Sequence, residues 1–151
     1  REESFSVNEL LLEIKNEIMP IAEDAGIFLR NEFANDYNYT RANRSLIFSM
    51  FYNVVNNAVK NTPSGGSVIV KSYQSENKYM VTITDTGKGM SEAQMSTLFS
   101  RFKTRVESDG EGTGIGLAIA KSIADFHGIE ILVDSVINKG SCFYFRFSEN
   151  S

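Results

Sequence analysis

Tyr79–Met90 reads YMVTITDTGKGM, and this stretch decides the fold of the chain. In its first half, successive residues point to opposite faces and several are β-branched, which predicts a half-buried strand. The alternation assigns three residues to each face, with Tyr79, Val81 and Ile83 toward the core and Met80, Thr82 and Thr84 opposite. Continuing it places the Asp85 carboxylate on the core face.

A carboxylate on a core face is costly unless donors meet it, because burying an unpaired charge costs several kcal/mol. Gly87 and Gly89 follow Asp85 and carry no side chains, so a ligand can approach the backbone closely. A buried acceptor beside bare backbone indicates a ligand site, and an exocyclic amino group suits that acceptor. The alternative is an ordinary Asp-Thr-Gly turn in which Asp85 caps local amides.

Composition limits the class of protein. The 151 residues fit one domain, residues 1–151, and the hydrophobic content of 42% is typical of a globular fold. A net charge of -4 gives no basic patch for nucleic acid, and no apolar run reaches the roughly 20 residues that span a bilayer. One cysteine, Cys142, and one histidine exclude a disulfide framework and a zinc site built from those ligands. We expect a cytoplasmic, monomeric domain that makes no membrane contact. We also expect it to be part of a longer protein, and whether that protein is anchored in a membrane stays open.

Hydrophobic periodicity predicts four helices and five strands. The helices are expected over Val7 to about Ala25, with Ser6 or Asn8 as cap and Pro20 bending or shortening it, then from about Thr40 to Asn61, from Ser91 to about Phe99, and over Thr113–Phe126. The strands are expected over Ile27–Phe33, Ser67–Tyr73, Tyr79–Thr84, Ile129–Asp134 and Cys142–Phe147. This order favours an α+β fold, a two-layer sandwich of a mixed, mostly antiparallel five-stranded sheet on about three helices.

Asn53, Asn57 and Lys60 align along one side of the second helix. Asparagine is a poor helix former, so its repeated use favours a role beyond solubility. Amide oxygens suit Mg²⁺ and an ammonium suits phosphate, so the stripe fits a metal-bound polyphosphate. The alternative is a solvated polar face.

Gly112–Leu117 reads GTGIGL directly before a helix, where free amides and the helix dipole favour an anion. It is not the dinucleotide fingerprint, because Leu117 stands where the third glycine is required. The alternative is a glycine hinge that opens the helix. Lys103–Gly112, just before it, is polar and is expected to be a mobile loop.

His127 ends a helix before Gly128, where a cation and a glycine are both favoured. We therefore assign it a structural or capping role.

The order of these motifs resembles the ATP-binding domain of sensor histidine kinases. They are an Asn-x-x-x-Asn-Ala-x-Lys helix from Asn53, Asp-x-Gly-x-Gly from Asp85, a Phe-x-x-Phe segment from Phe99, a polar loop and GTGIGL. That family shares an ATPase superfamily with gyrase, the Hsp90 chaperones and the MutL mismatch-repair proteins, and the resemblance covers nearly the whole chain. It implies the Bergerat-type ATP-binding fold.

The resemblance implies a site for ATP and Mg²⁺. Asn57 matches the metal ligand, and Asp85 the acceptor for the adenine amino group, with room for the base at Gly87 and Gly89. Asn53, Lys60 and Arg101 match catalytic residues that act at the phosphates. Arg105 is an alternative to Arg101, and both arginines lie in a lid spanning about residues 99–113. The remaining cofactor-binding matches are Met90, Phe102, Gly112, Thr113, Gly114, Ile115, Gly116, Leu117 and Ser141.

Two positions depart from the family pattern. Asn61 stands where many members have an aromatic residue near the adenine, so stacking there is expected to be weaker. Asn138-Lys139-Gly140 keeps only the last glycine of the usual Gly-x-Gly, which we expect to affect a turn and not binding.

The resemblance implies a histidine kinase that donates the γ-phosphoryl group to a histidine on a dimerising helical hairpin, which is absent from this sequence. It also implies a response regulator as an indirect partner. Gyrase-type ATPase switches use an acidic residue where Asn53 stands, and Asn53 is no base. A non-catalytic nucleotide-binding module and a serine kinase of the anti-sigma-factor type remain alternatives.

Overall fold

The computed structural model describes residues 1–34, 39–98 and 113–148, with the backbone alone for residues 113–115. Its helices are α1 (Val7–Ala25), α2 (Arg44–Lys60), α3 (Glu92–Ser96) and α4 (Thr113–His127). Its strands are β1 (Glu3–Ser6), β2 (Phe28–Phe33), β3 (Tyr39–Ala42), β4 (Ser67–Ser75), β5 (Lys78–Asp85), β6 (Glu130–Val136) and β7 (Gly140–Arg146). None of these described helices is long and apolar enough to cross a bilayer.

The main sheet has five strands in the order β2-β4-β5-β7-β6. The β2–β4 pair is parallel and every other neighbour is antiparallel. With the helices on one face, this is the predicted α+β two-layer sandwich, and that prediction is confirmed. The decisive strand, β5, lies in the middle of the sheet.

The central position of β5 buries more of it than alternation alone predicts. Val81 and Ile83 are fully buried on the helix-facing side, as expected. On the open side Thr84 is exposed, but Met80 and Thr82 are buried as well, because strands flank β5 on both sides. The half-buried character predicted for this strand therefore holds only at its end.

The predicted start of the second helix is wrong. Residues 39–42 form β3, which pairs antiparallel with β1, a strand that the sequence did not predict. The helix α2 begins only at Arg44, after Asn43, whose Oδ1 accepts a hydrogen bond of 3.1 Å from the Leu46 amide. The physical reason is that β1 pairs with β3 across the whole of α1, a non-local contact that leaves no mark in local periodicity.

The first helix matches its prediction at both ends. Ser6 is the N-cap, its Oγ accepting from the Glu9 amide at 3.2 Å, and Gly26 ends the helix at a left-handed φ of 75°. Pro20 lies inside the helix without ending it.

The core lies between α2 and the sheet. Phe143 and Phe145 of β7 are buried, as is Phe147 directly after the strand, and the three share a face as predicted. The Phe51 ring of α2 meets the Phe145 ring edge-on, with centroids 4.9 Å apart, and lies 6.2 Å from that of Phe147. These aromatic contacts hold the helix that carries the asparagine stripe against the sheet.

A buried polar cluster joins α1 to the sheet at the end of β5 away from Asp85. Asn8 Oδ1 accepts from the Ser72 hydroxyl at 2.8 Å and from the Tyr79 hydroxyl at 3.0 Å. Burial raises the pKa of Tyr79 far above its usual range, which keeps its hydroxyl protonated as a donor.

We expect Tyr79→Phe to lower the free energy of unfolding by about 1 kcal/mol, because Asn8 keeps the Ser72 hydroxyl as a donor. Asn8→Ala is expected to cost more, since it leaves two buried hydroxyls without their acceptor. Urea unfolding of both variants measures this order. A Tyr79→Phe variant less stable than Asn8→Ala contradicts it.

Candidate functional site

Asp85 ends β5 with its carboxylate buried on the helix-facing side, and the residue is only 6% exposed. Its Oδ1 accepts from the Gly87 amide at 2.8 Å and from the Ser141 amide at 3.3 Å. Both hydrogen bonds go to the same oxygen, so Oδ2 has no partner among the described residues. The carboxylate is thus fixed by the backbone and keeps one oxygen for another donor.

The two glycines after Asp85 are required by packing of the backbone. A Cβ on Gly87 would lie 2.5 Å from the Asn61 carbonyl oxygen and 3.0 Å from Asp85 Oδ1. Gly89 has φ 68°, and a Cβ there would collide with the Val136 carbonyl at the end of β6. Room for a purine beside these glycines stays a prediction.

The loop after β5 is tied to the β6–β7 hairpin by side-chain and backbone bonds. The Met90 amide donates to Ser135 Oγ at 2.8 Å, and the Asn138 amide donates to the Lys88 carbonyl at 2.7 Å. Ser135 Oγ also lies 2.8 Å from Ser141 Oγ, directly across the strand pair. Ser141, Met90 and Asp85 therefore belong to one connected group of hydrogen bonds.

Asn53, in the asparagine stripe of α2, presents its amide oxygen toward the start of α4. Asn53 Nδ2 donates to the Ser49 carbonyl at 2.9 Å and to its hydroxyl at 3.3 Å. The amide nitrogen is thereby used, and Asn53 Oδ1 lies 3.6 Å from the position of a Cβ on Gly116. Asn57 is half-buried one turn further along, and Lys60 is exposed at the end of the helix.

The helix α4 begins at Thr113, so Thr113, Gly114 and Ile115 form its first turn. The amides of a first turn have no partners within the helix and attract anions. Gly116 follows, beside Asn53. Leu117 is 1% exposed, so its side chain belongs to the core and only its backbone is available to a ligand.

Several predicted site residues lie outside the described residues. They are Phe99, Arg101, Phe102, Arg105 and Gly112, together with the rest of the predicted lid before Thr113.

The chemistry of the donor set fits Mg²⁺ only when a ligand shares in its coordination. The described residues hold no group of three or more His, Cys, Asp or Glu that could bind a metal. The stripe instead offers amide oxygens, and Mg²⁺ commonly takes one or two protein ligands together with phosphate oxygens and water. Asn57 and Asn53 therefore suit a metal that arrives with a phosphate ligand.

His127 has a structural environment at the far end of α4. Its Nδ1 lies 2.9 Å from the Ile123 carbonyl of its own helix. The helix has 15 residues, so its two ends are separated by about 20 Å. The capping role predicted for His127 agrees with this position, and the residue is remote from Asn53 and the first turn of α4.

Residues 42–151 match the family model described as "Histidine kinase-, DNA gyrase B-, and HSP90-like ATPase". The chain belongs to this family. The ATPase-family match covers most of the chain and includes α2, β5, α4 and the β6–β7 hairpin.

Named relatives of this ATPase-family chain are kinases. The adaptive-response sensory kinase SasA of Rippkaea orientalis is 34% identical over 90% of the chain, and sporulation kinase A of Bacillus subtilis is 30% identical over 96%. The chain spans only 35% and 23% of those two proteins. It therefore corresponds to one part of such a kinase.

Solved structures agree with the sequence relatives. A nucleotide-free catalytic domain of histidine kinase ThkA superposes with a TM-score of 0.86 at 26% identity, covering 99% of this chain and 96% of that one. The mycobacterial sensor histidine kinase MprB shares the fold, with a TM-score of 0.83 at 24% identity over 97% of each chain.

The two departures from the family pattern have structural explanations. Asn61 is the C-cap of α2, and its carbonyl faces Gly87. Asn138 adopts the left-handed region at φ 67° in the β6–β7 turn, a conformation that asparagine tolerates better than most residues.

Sequence reasoning missed two residues that orient the site, Ser135 and Ser49. A signal for Ser135 existed, because alternation places it on the same side of β6 as Ile131 and Val133, a polar residue on an apolar face. A signal for Ser49 existed as well, because it lies four residues before Asn53 on the predicted helix and side chains at that spacing are neighbours.

The free energy of unfolding should depend on pH because the Asp85 carboxylate is buried. Desolvation raises the pKa of Asp85 above its ordinary value of 3.8, and hydrogen bonds from the Gly87 and Ser141 amides oppose this only in part. Above 3.8 the unfolded chain releases a proton that the folded chain still holds. The associated stability is therefore fully present below 3.8 and is lost as pH rises through the folded pKa.

We accordingly expect Asp85→Asn to be more stable than the unmodified chain at pH 7, because it removes a buried charge while keeping an acceptor for both amides. The advantage should shrink as the pH falls toward 4. Urea unfolding across this pH range measures it, with Asp24→Asn, at an exposed site near the end of α1, as the matched control. This account is contradicted if the stability difference between Asp85→Asn and the unmodified chain favours the variant less at pH 7 than at pH 4.

Proposed function

We propose that this chain binds Mg²⁺-ATP and donates the γ-phosphoryl group to a histidine on a separate dimerisation domain of a two-component sensor kinase. The observation that carries the proposal is the Asp85 carboxylate, buried at the end of the central strand with Oδ1 held by two amides and Oδ2 open. The membership of the ATPase family and the names of the kinase relatives support it.

Base recognition is assigned to Asp85. A buried carboxylate accepts hydrogen bonds and donates none, so it matches the amino group of adenine and repels the carbonyl that guanine carries at the same position. The raised pKa of Asp85 reflects desolvation of a charge that lacks a cation, a cost that a donor from the ligand would offset.

Phosphate binding is assigned to the junction of α2 and α4. The first-turn amides of α4 provide partial positive charge at the place where Asn53 Oδ1 meets Gly116. Asn57 would hold the metal with phosphate oxygens, and Lys60 would supply a positive charge at the end of the stripe. Bound Mg²⁺ would neutralise negative charge on the phosphates.

The acceptor is assigned to another domain. The chain has a single histidine, His127, and it lies about 20 Å along α4 from the proposed phosphate site. Transfer to His127 within one molecule would therefore require the nucleotide to sit at the wrong end of the helix. Phosphoryl transfer depends mainly on positioning and charge neutralisation, so the donor and acceptor parts can reside on different domains.

Partners and location follow from the same proposal. ThkA has been solved in a complex with the response regulator TrrA, and that structure superposes on this chain with a TM-score of 0.80 at 25% identity. We infer that the full-length parent of this chain likewise serves a response regulator, and that this domain works in the cytoplasm, where ATP is supplied.

Nucleotide binding is tested by calorimetric titration with ADP and a non-hydrolysable ATP analogue, with and without Mg²⁺. We expect the unmodified chain to bind more tightly with Mg²⁺, and Asn57→Ala to lose this Mg²⁺ dependence. Asp85→Asn should weaken binding about 10- to 100-fold, because a charged acceptor for the base is removed.

Matched controls are available on α1, where Asn16 and Asp24 are exposed. Asn16→Ala and Asp24→Asn should bind like the unmodified chain. Absence of nucleotide binding by the unmodified chain would reject the proposal, and equal losses in site and control variants would reject the assignment of the site.

Phosphoryl transfer is tested by mixing the chain and ATP labelled in its γ-phosphate with the isolated dimerisation hairpin of a related histidine kinase. We expect acid-labile label on the hairpin, and the same yield from a His127→Gln variant. Label on this chain that disappears with His127→Gln would instead make His127 the acceptor. Nucleotide binding with no transfer to any hairpin would favour the non-catalytic binding module.

A further inference from the structure

We propose that Thr86 is a positioning residue that holds the turn after β5 against β4 and so fixes the Asp85 carboxylate for the base of a nucleotide. This inference rests on the proposed function, because it concerns how Asp85 is presented to that base. Thr86 is exposed and lies between two buried residues, Asp85 and Gly87. Thr86 itself is assigned no contact with the nucleotide.

Thr86 ends the pairing of β5 with β4 through its side chain. One step beyond the registered pair of Val68 with Asp85, the Thr86 amide donates to the Ser67 carbonyl at 3.1 Å. In a regular antiparallel pair of this kind the Ser67 amide would donate to the Thr86 carbonyl in return. Here the Ser67 amide donates to Thr86 Oγ1 at 3.0 Å. The side chain takes the place of a backbone acceptor, so the backbone can leave the ladder at Thr86 and turn.

The end of β4 to which Thr86 is tied is itself anchored. Gly66, next to Ser67, accepts from the Phe28 amide of β2 at 2.9 Å and donates to the Pro63 carbonyl at 3.0 Å. A Cβ on Gly66 would lie 2.7 Å from Thr86 Oγ1, so the threonine side chain packs closely against this backbone. The bond from Ser67 to Thr86 therefore joins the turn to a segment that is held from two sides.

The two strands that flank β5 thus both hold the turn. On the β7 flank, Asp85 Oδ1 accepts from the Ser141 amide at 3.3 Å, which is long for a hydrogen bond of this type. Within the turn, the same oxygen accepts from the Gly87 amide at 2.8 Å. On the β4 flank, Thr86 exchanges two bonds with Ser67, and one of them uses its hydroxyl.

Loss of the Thr86 hydroxyl would act on Asp85 through one peptide unit. Without Oγ1, the Ser67 amide lacks its acceptor, and the nearest replacement in an antiparallel pair is the Thr86 carbonyl. That carbonyl and the Gly87 N–H belong to the same planar peptide, so turning one toward Ser67 turns the other away from Asp85. A carboxylate without this donor is less firmly fixed. The apparent affinity for a ligand then falls with the fraction of chains that keep the competent turn.

The first measurement is calorimetric titration of the variants with ADP and Mg²⁺. Thr86→Val keeps the branched shape but removes the acceptor, and we expect ADP to bind about 3- to 10-fold more weakly. Thr86→Ser keeps the hydroxyl and should bind like the unmodified chain. Thr86→Val combined with Asp85→Asn should bind no more weakly than Asp85→Asn alone, because Thr86 acts through the Asp85 carboxylate.

The second measurement is hydrogen exchange of the Gly87 amide, which reports on the turn without a nucleotide. We expect faster exchange in Thr86→Val and an unchanged rate in Thr86→Ser. If Thr86→Val does not fold, Thr86→Ala removes the same acceptor with less bulk beside Gly66 and should show the same changes.

A matched control lies two residues earlier on β5. Thr84 is also exposed, and its hydroxyl donates to Cys142 Sγ at 3.1 Å, on the β7 side and away from Ser67. Thr84→Val removes one side-chain hydrogen bond of the same strand and should change neither the affinity for ADP nor the exchange of the Gly87 amide.

The outcomes distinguish the two proposals. An unmodified chain that binds no ADP overturns the proposed function and this inference with it. If the unmodified chain binds ADP, three results overturn the role of Thr86 alone. They are an affinity or a Gly87 exchange rate that is unchanged in Thr86→Val, an equal loss of affinity in Thr84→Val, and fully additive losses in the double variant.

Discussion

The structure depends on a carboxylate that lies on the core side of its central strand. Asp85 cannot be buried there without donors, and its two donors come from different parts of the chain, the Gly87 amide in the next loop and the Ser141 amide on β7. Satisfying Asp85 therefore requires the β5–β7 pairing and the tight turn after β5 together. The turn in turn requires glycine, because Gly87 and Gly89 touch backbone from α2 and from the β6–β7 hairpin. One buried charge thus couples three separate segments.

The helix α2 has an apolar side that packs on the sheet and a polar side that carries candidate site residues. The apolar side of α2 packs on the sheet through contacts such as Phe51 with Phe145. Its polar side carries Asn53, whose amide is oriented by Ser49 and whose oxygen meets the start of α4 at Gly116. The same helix therefore packs on the sheet with one side and places the Asn53 oxygen beside α4 with the other. In the proposed function, this packing would set the distance between the base site and the phosphate site.

The chain belongs to the ATPase family and corresponds to one part of its longer kinase relatives. The chain covers 35% of SasA and 23% of sporulation kinase A. Its single histidine caps α4 through a bond to the Ile123 carbonyl and lies away from the polar stripe. In the proposed function the fold supplies a surface that binds and orients a ligand, and positioning of this kind is the larger part of what phosphoryl transfer needs from a protein.

Much of the fold could be predicted from local patterns. Alternation identified β5 and placed Asp85 on the core face, and helical spacing identified α1 and α4. Each of these depends on residues close in sequence, for which periodicity is a direct consequence of backbone geometry. The start of α2 could not be predicted this way, because β3 exists only through its pairing with β1 on the far side of α1. The burial of Met80 and Thr82 was likewise invisible, since it follows from the central place of β5 in the sheet.

The features of the candidate site likewise divide into those that local sequence predicts and those that depend on tertiary packing. Residue types and spacing alone singled out Asp85, the stripe of Asn53 and Asn57, and the glycines before α4, because side-chain chemistry and helix geometry are local properties. The tertiary structure decided which oxygen of Asp85 is used, which atom of Asn53 faces α4, and that Ser135 joins Met90 to Ser141. Hydrogen bonds between segments far apart in sequence have direction only once the segments are packed. The sequence by itself determined what kind of groups the site contains, and the packing of sheet and helices decided where each donor and acceptor points.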